Sequence, residues 1–144
     1  MKKILFLQMF LIVFTFCKNN DPKIINEASL ALPEDFISFY DKFHQDSLFQ
    51  IEHCIFPMEG LPDQMDSTVD HQAFRWTKDI WRMHHLINDS FGLTKSYTML
   101  GDNMITERML NEKQGIGIER RFARMNNDWN LIYYVGLNQY KKNK

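Results

Sequence analysis

Apolar positions along the 144-residue chain follow three spacings in turn. The first is a nearly unbroken apolar run, Ile4 to Cys17, behind Lys2 and Lys3. A basic start followed by an apolar core of this length predicts a bacterial export signal. It falls short of the ~20 apolar residues that a spanning helix takes. Residues 18–31 are polar and small and read as a flexible tether. The second spacing is helical. Leu32-Pro33-Glu34-Asp35 opens a helix, with proline tolerated in the first turn and acids favoured at its positive end. Phe36, Phe39, Tyr40 and Phe43 then recur on one face, opposite Asp41, Lys42 and Gln45. Asp46-Ser47 caps a second short helical turn through Leu48, Phe49 and Gln50. Ile51 to Phe56 reads as a short strand that Pro57 ends. An acidic loop follows from 57 to about 72, of the kind that serves as a lid, a binding loop or a variable surface excursion. Thr77 is placed to cap a third helix, with Ile80, Met83, His84, Ile87 and Phe91 on one face, Trp81 beside it and Gly92 as its close.

The third spacing is β. Tyr97–Leu100, Met104–Leu110, Gly115–Met125 and Trp129–Leu137 read as four strands. Asn111–Gly115 and Asn126-Asn127-Asp128 have the composition of hairpin loops. In the last strand Trp129, Leu131, Tyr133, Val135 and Leu137 alternate with a mixed set, the pattern of a sheet with one face on a core. Helices first and an antiparallel meander after them predict an α+β domain, with N-terminal helices packed on one face of a curved antiparallel sheet. The expected division is a signal at 1–17, a tether at 18–31 and a single α+β domain at 32–140.

Charge narrows the partners. The chain holds 17 Lys and Arg against 18 Asp and Glu. Removing Lys2 and Lys3 leaves 15 bases against 18 acids, a net charge of −3. Nucleic acid is therefore not an expected partner, since phosphate binding relies on clustered excess Lys and Arg. Lys141-Lys142-Asn143-Lys144 reads as a solvated end. Twelve Phe, five Tyr and three Trp imply a bulky core or an aromatic-lined cavity. The only cysteines are Cys17 and Cys54. Once Cys17 is acylated or removed no internal disulfide is possible, and Cys54, between His53 and Ile55, reads as a small buried hydrophobe.

The apolar run ends at Cys17, followed by Lys18-Asn19-Asn20-Asp21-Pro22-Lys23. This resembles a bacterial lipoprotein signal, which implies acylation of Cys17 and a lipid anchor in the membrane. Phe16 departs from the small residue of that pattern. Ordinary secretion to the periplasm and an uncleaved N-terminal anchor are the alternatives. Further along, Phe36-Ile37-Ser38-Phe39-Tyr40-Asp41-Lys42-Phe43, Asp46-Ser47-Leu48-Phe49-Gln50, Ile55-Phe56-Pro57, Trp76-Thr77, Trp81 and Asn127-Asp128-Trp129-Asn130-Leu131 carry a second resemblance. The chain looks like the nuclear transport factor two-like, cystatin-like cone fold. It is more closely similar to a family of small exported bacterial proteins of unknown function with that fold. The resemblance covers most of residues 32–138 and implies three N-terminal helices packed into a bent antiparallel sheet. Its motifs are structural and carry no activity.

Candidate chemistry is sparse. His84 and His85 are adjacent, so on a helix they point about 100° apart and do not share a metal. No HExxH, CxxC or GxSxG pattern is present; no metal or cofactor is expected. His84, on the apolar face beside Trp81, reads as a satisfied core histidine. Arg120 interrupts the set Ile116, Ile118, Phe122; a regular strand aims it at the concave face, whereas a bulge turns it outward. Glu107 is placed for a cross-strand pair with an arginine. Trp81, His84, Tyr97, Arg120 and Tyr133 are the ligand-pocket candidates, and no catalytic residue is assigned. These readings favour an exported, lipid-anchored, non-catalytic binding or accessory module of the envelope, monomeric or homodimeric. Its ligand would be a small amphipathic molecule or a peptide, held between the Trp81–His84 helix and the sheet. The alternatives are a small-molecule enzyme of isomerase, dehydratase or hydrolase type using His84, and a dimerisation module.

Overall fold

A computed structural model describes residues 23–26, 32–63, 73–87 and 92–140. The export signal with Cys17, most of the acidic loop and Phe91 lie outside them. The elements run β1 (Lys23–Asn26), α1 (Glu34–Gln45), α2 (Ser47–Glu52), β2 (Cys54–Leu61), β3 (Arg75–Trp76), β4 (Thr94–Leu100), β5 (Met104–Asn111), β6 (Ile116–Met125) and β7 (Asp128–Gln139). The strands form one curved, open sheet in the order β1-β4-β5-β6-β7-β2-β3. Every pairing is antiparallel except β2 with β7. The sheet is thus mixed, not purely antiparallel: β2 and β7 are joined through the four strands between them, a connection long enough for parallel pairing.

Helix α1 follows its sequence pattern. Phe36, Phe39, Tyr40 and Phe43 are all buried, with Phe36 1% exposed. The Phe36 ring meets Tyr97, Phe122 and Trp129 edge-on, at centroid distances of 6.5, 5.4 and 5.1 Å. Asp35 accepts from Trp129 Nε1 at 3.1 Å and pairs with Arg124, which fastens the start of α1 to the ends of β6 and β7. Asp46 closes α1 through its own N–H and caps α2, its carboxylate accepting from the N–H groups of Leu48 and Phe49.

Three expectations give way. Four residues of the segment read as a tether, 23–26, pair with β4 as an edge strand. Pro57 does not end β2: the strand continues to Leu61, across a cis Phe56–Pro57 bond. Pro57 sits where the β2–β7 register slips between Cys54 and Glu59, a place where a strand has no ladder hydrogen bond to lose. Thr77 starts only one turn, with the N–H of Trp81 bonding its carbonyl at 3.1 Å. Residues 81–87 then run without regular structure instead of forming a third helix. Four of its seven residues, Trp81, His84, His85 and Ile87, are middling helix formers, and side-chain hydrogen bonds described below hold His84 in place.

The meander itself is as read. The Asn126-Asn127 turn takes positive φ at both residues, 52° and 70°, as a two-residue hairpin requires. One break in β7 matters. Phe122 faces Leu131 and Arg121 faces Tyr133, so Ile132 is an extra residue on that strand. A bulge of this kind reverses the alternation and bends the strand. Tyr134 therefore joins Leu131 in the core while Tyr133 turns outward, where the Arg121 guanidinium lies 4.1 Å from its ring.

Phe36→Ala removes a ring at the centre of the packing between α1 and the sheet. It is expected to cost about 3–5 kcal/mol, a large part of a total of ~5–15; urea unfolding measures it. A loss below about 1 kcal/mol would mean that α1 is not seated as described.

Candidate functional site

Two polar clusters organise the interior. The first lies between α1 and the strands. Glu107 and Arg120 stand opposite each other on β5 and β6 and are 0% and 2% exposed. Arg120 Nη1 donates to Glu107 Oε2 at 3.2 Å and to His44 Nε2 at 2.9 Å. His44 Nδ1 lies 2.8 Å from the Tyr40 carbonyl. A carbonyl only accepts, so Nδ1 carries the proton and Nε2 is left to accept from the arginine. The other oxygen of Glu107 accepts from the hydroxyls of Tyr40 and Tyr97, the latter at 3.4 Å, and has Lys95 Nζ at 4.0 Å. Burial opposes the charge on Arg120, but the Glu107 carboxylate holds the guanidinium above its ordinary value. Burial and the same arginine push His44 down to about 4. Tyr40 is raised by burial and by Glu107.

The second cluster is built on Gln50, which is fully buried. Its Nε2 donates to the carbonyls of Phe43 and His84 at 2.6 and 2.9 Å. Its Oε1 accepts from the His84 N–H at 2.8 Å and from Trp81 Nε1 at 3.2 Å. One amide thus satisfies both backbone groups of His84 within a stretch that has no ladder of its own. Trp81 and Tyr134 flank the His84 ring, each 4.3 Å from it. His84 Nδ1 is buried with no hydrogen-bond partner among the described residues. Burial, then Arg120, bring this imidazole down to about 3.

Between this segment and the concave side of β6 and β7 lies a cavity of about 450 Å³. Met83, His84, His85 and Ile87 line it on one side, and Ile116, Ile118, Arg120, Tyr134 and Leu137 on the other. Leu93, Gln114 and Asp63 complete it, the last with Oδ1 accepting from the Leu137 N–H at 2.6 Å. The size falls within the ~300–1,000 Å³ of small-molecule sites. A hollow of about 80 Å³ beside Arg108 and Glu119 is too small for one. The cavity is apolar-walled with a charged guanidinium and a neutral imidazole. It suits holding a molecule better than transforming one. Cys54 is buried, and burial pushes its thiol up to about 12 against the opposing pull of Arg120, so it stays protonated and unreactive. Among the described residues no three His, Cys, Asp or Glu stand together as a metal site.

Of the sequence candidates, Arg120 and His84 line the cavity, and Trp81 backs the His84 ring. Arg120 does point inward, paired with Glu107. His84 is not a satisfied core histidine. Tyr97 is buried in the Glu107 cluster and is not among the cavity's lining residues. Tyr133 is on the outer face; the Ile132 bulge puts Tyr134 in its place. Gln50, Tyr134 and the role of His44 were missed. Tyr40 and His44, four residues apart along the apolar stripe, were the available signal for a polar cluster. Gln50 had none, because three of its four bonds go to Trp81 and His84, more than thirty residues along the chain.

The architecture is an α+β, NTF2-like fold. It is similar to the crystal structure of an NTF2-like protein from Bacteroides fragilis, with a TM-score of 0.52 and 15% identity over 80% of this chain and 52% of that one. This chain thus matches about half the length of that structure, and the likeness carries the fold alone. No protein-family model matches the chain, and no curated protein is similar to it.

Both histidines are held neutral in the folded state, below the ordinary 6.5. The unfolded chain protonates them near 6.5, so below that pH it binds more protons and stability rises with pH. Acidification from 6.5 toward 4 is expected to remove up to about 1.4 kcal/mol per pH unit for each histidine. The urea midpoint should fall between pH 7 and pH 5, and fall less in His84→Phe, which keeps a ring between Trp81 and Tyr134. An unchanged midpoint would contradict two buried neutral imidazoles.

Proposed function

We propose that the chain is an exported, lipid-anchored, non-catalytic binding module of the bacterial envelope, related to the exported family that its sequence resembles. It would hold a small amphipathic molecule in the cavity between residues 83–87 and the sheet. The observation that carries this reading is the cavity itself: about 450 Å³, with an aliphatic surface from Ile87, Leu93, Ile116, Ile118 and Leu137 and polar groups on both walls. Export and anchoring rest on the basic start, the apolar run and Cys17. The rival, an enzyme using His84, is supported by the place of that ring in the cavity. Against it stands basicity: an imidazole held at about 3 is a poor proton acceptor near neutral pH.

Native mass spectrometry of the protein purified from a bacterial envelope is expected to show a reproducible retained mass above the bare chain. A bare chain throughout would overturn the binding reading. Cys17→Ser is expected to move the protein from the membrane to the soluble fraction; unchanged partitioning would sink the lipid anchor.

A further inference from the structure

The Arg120 guanidinium is only partly used. Nη1 commits both its protons, one to Glu107 and one to His44. Nε is buried with no partner among the described residues. A guanidinium offers five N–H donors, and a buried donor left unmatched is costly. Glu107 has little more to give, since the Tyr40 and Tyr97 hydroxyls and Lys95 already converge on its other oxygen. Charge is unmatched as well: Arg120 and Lys95 both face this single carboxylate. His44 and His84 are neutral and add no negative charge. Asp63 also lines the cavity, but it is exposed and its Oδ1 is taken by the Leu137 N–H. The cluster of Glu107, Arg120 and Lys95 therefore carries one positive charge in excess, and of the three Arg120 lines the cavity, whose aliphatic surface comes from Ile87, Leu93, Ile116, Ile118 and Leu137.

We propose that the cavity takes an amphipathic monoanion, its planar carboxylate head on the Arg120 guanidinium and its apolar body along Ile116, Ile118 and Leu137. This rests on the binding-module reading and names its ligand class. A carboxylate matches the guanidinium fork and cancels one charge, whereas a dianionic phosphate leaves a negative charge among aliphatic walls. A peptide brings backbone groups that those walls do not satisfy.

Calorimetric titration of the full chain with octanoate, octan-1-ol and octyl phosphate tests this. Octanoate is expected to bind about ten-fold or more tighter than the alcohol, the scale of one charged hydrogen bond, and tighter than the phosphate. In the double variant Arg120→Met with Glu107→Gln, which removes both buried charges together, octanol affinity should persist while the preference for octanoate disappears. The comparison on the unaltered chain decides even if that variant does not fold. Equal affinity for acid and alcohol overturns the anion inference and leaves the cavity reading standing. Tighter phosphate binding overturns the head-group class, and an octanoate preference that survives in the double variant overturns the assignment to Arg120. Binding of none of the three removes the cavity reading and this inference with it.

Discussion

The buried pair of Glu107 and Arg120 is the constraint around which the interior is arranged. Two opposite charges taken fully out of water are tolerated only when further hydrogen bonds complete each of them. Helix α1 supplies those bonds to both partners. Tyr40 reaches the carboxylate and His44 the guanidinium. The aromatic stripe therefore does more than fill space. Its hydroxyl and its imidazole fix the rotation of the helix about its own axis, since turning it would strand two charges.

Shape comes from two departures from regularity. The extra residue at Ile132 brings Tyr134 inward, where the ring meets His84 and lines the cavity. Gly60 then lets β2 lie against the same strand. Its φ of +148° suits glycine, and a Cβ there would run into the Tyr134 carbonyl. That carbonyl also accepts from Trp76 Nε1 at 3.0 Å. Tyr134 is thus held at its backbone carbonyl, by neighbours that owe nothing to its own side chain.

Much of this was legible in the chain. The spacing of Phe36, Phe39, Tyr40 and Phe43 placed α1, and the alternation after Thr94 placed the four-stranded meander and its hairpins. Strand period aimed Arg120 at the concave face but left open a bulge that would turn it outward, and it placed Glu107 opposite an arginine without deciding which; the register decides both. What period does not carry is a change of phase. Tyr133 and Tyr134 are chemically alike neighbours, and only the bulge decides which one faces the core. The stretch from Ile80 to Ile87 shows the converse failure. Its apolar spacing is helical, yet Gln50, thirty-four positions away from His84, takes the backbone groups that a helix would have used.

Gln50 has one more consequence. The amide that holds the wall of the cavity carries no charge: no proton changes it in the physiological range and no salt screens it. The opposite side, at Arg120, is a buried pair of ions with a titratable neighbour, His44, in contact with it. Contour on one side and electric potential on the other thus rest on groups of different chemistry, a neutral amide and an ion pair.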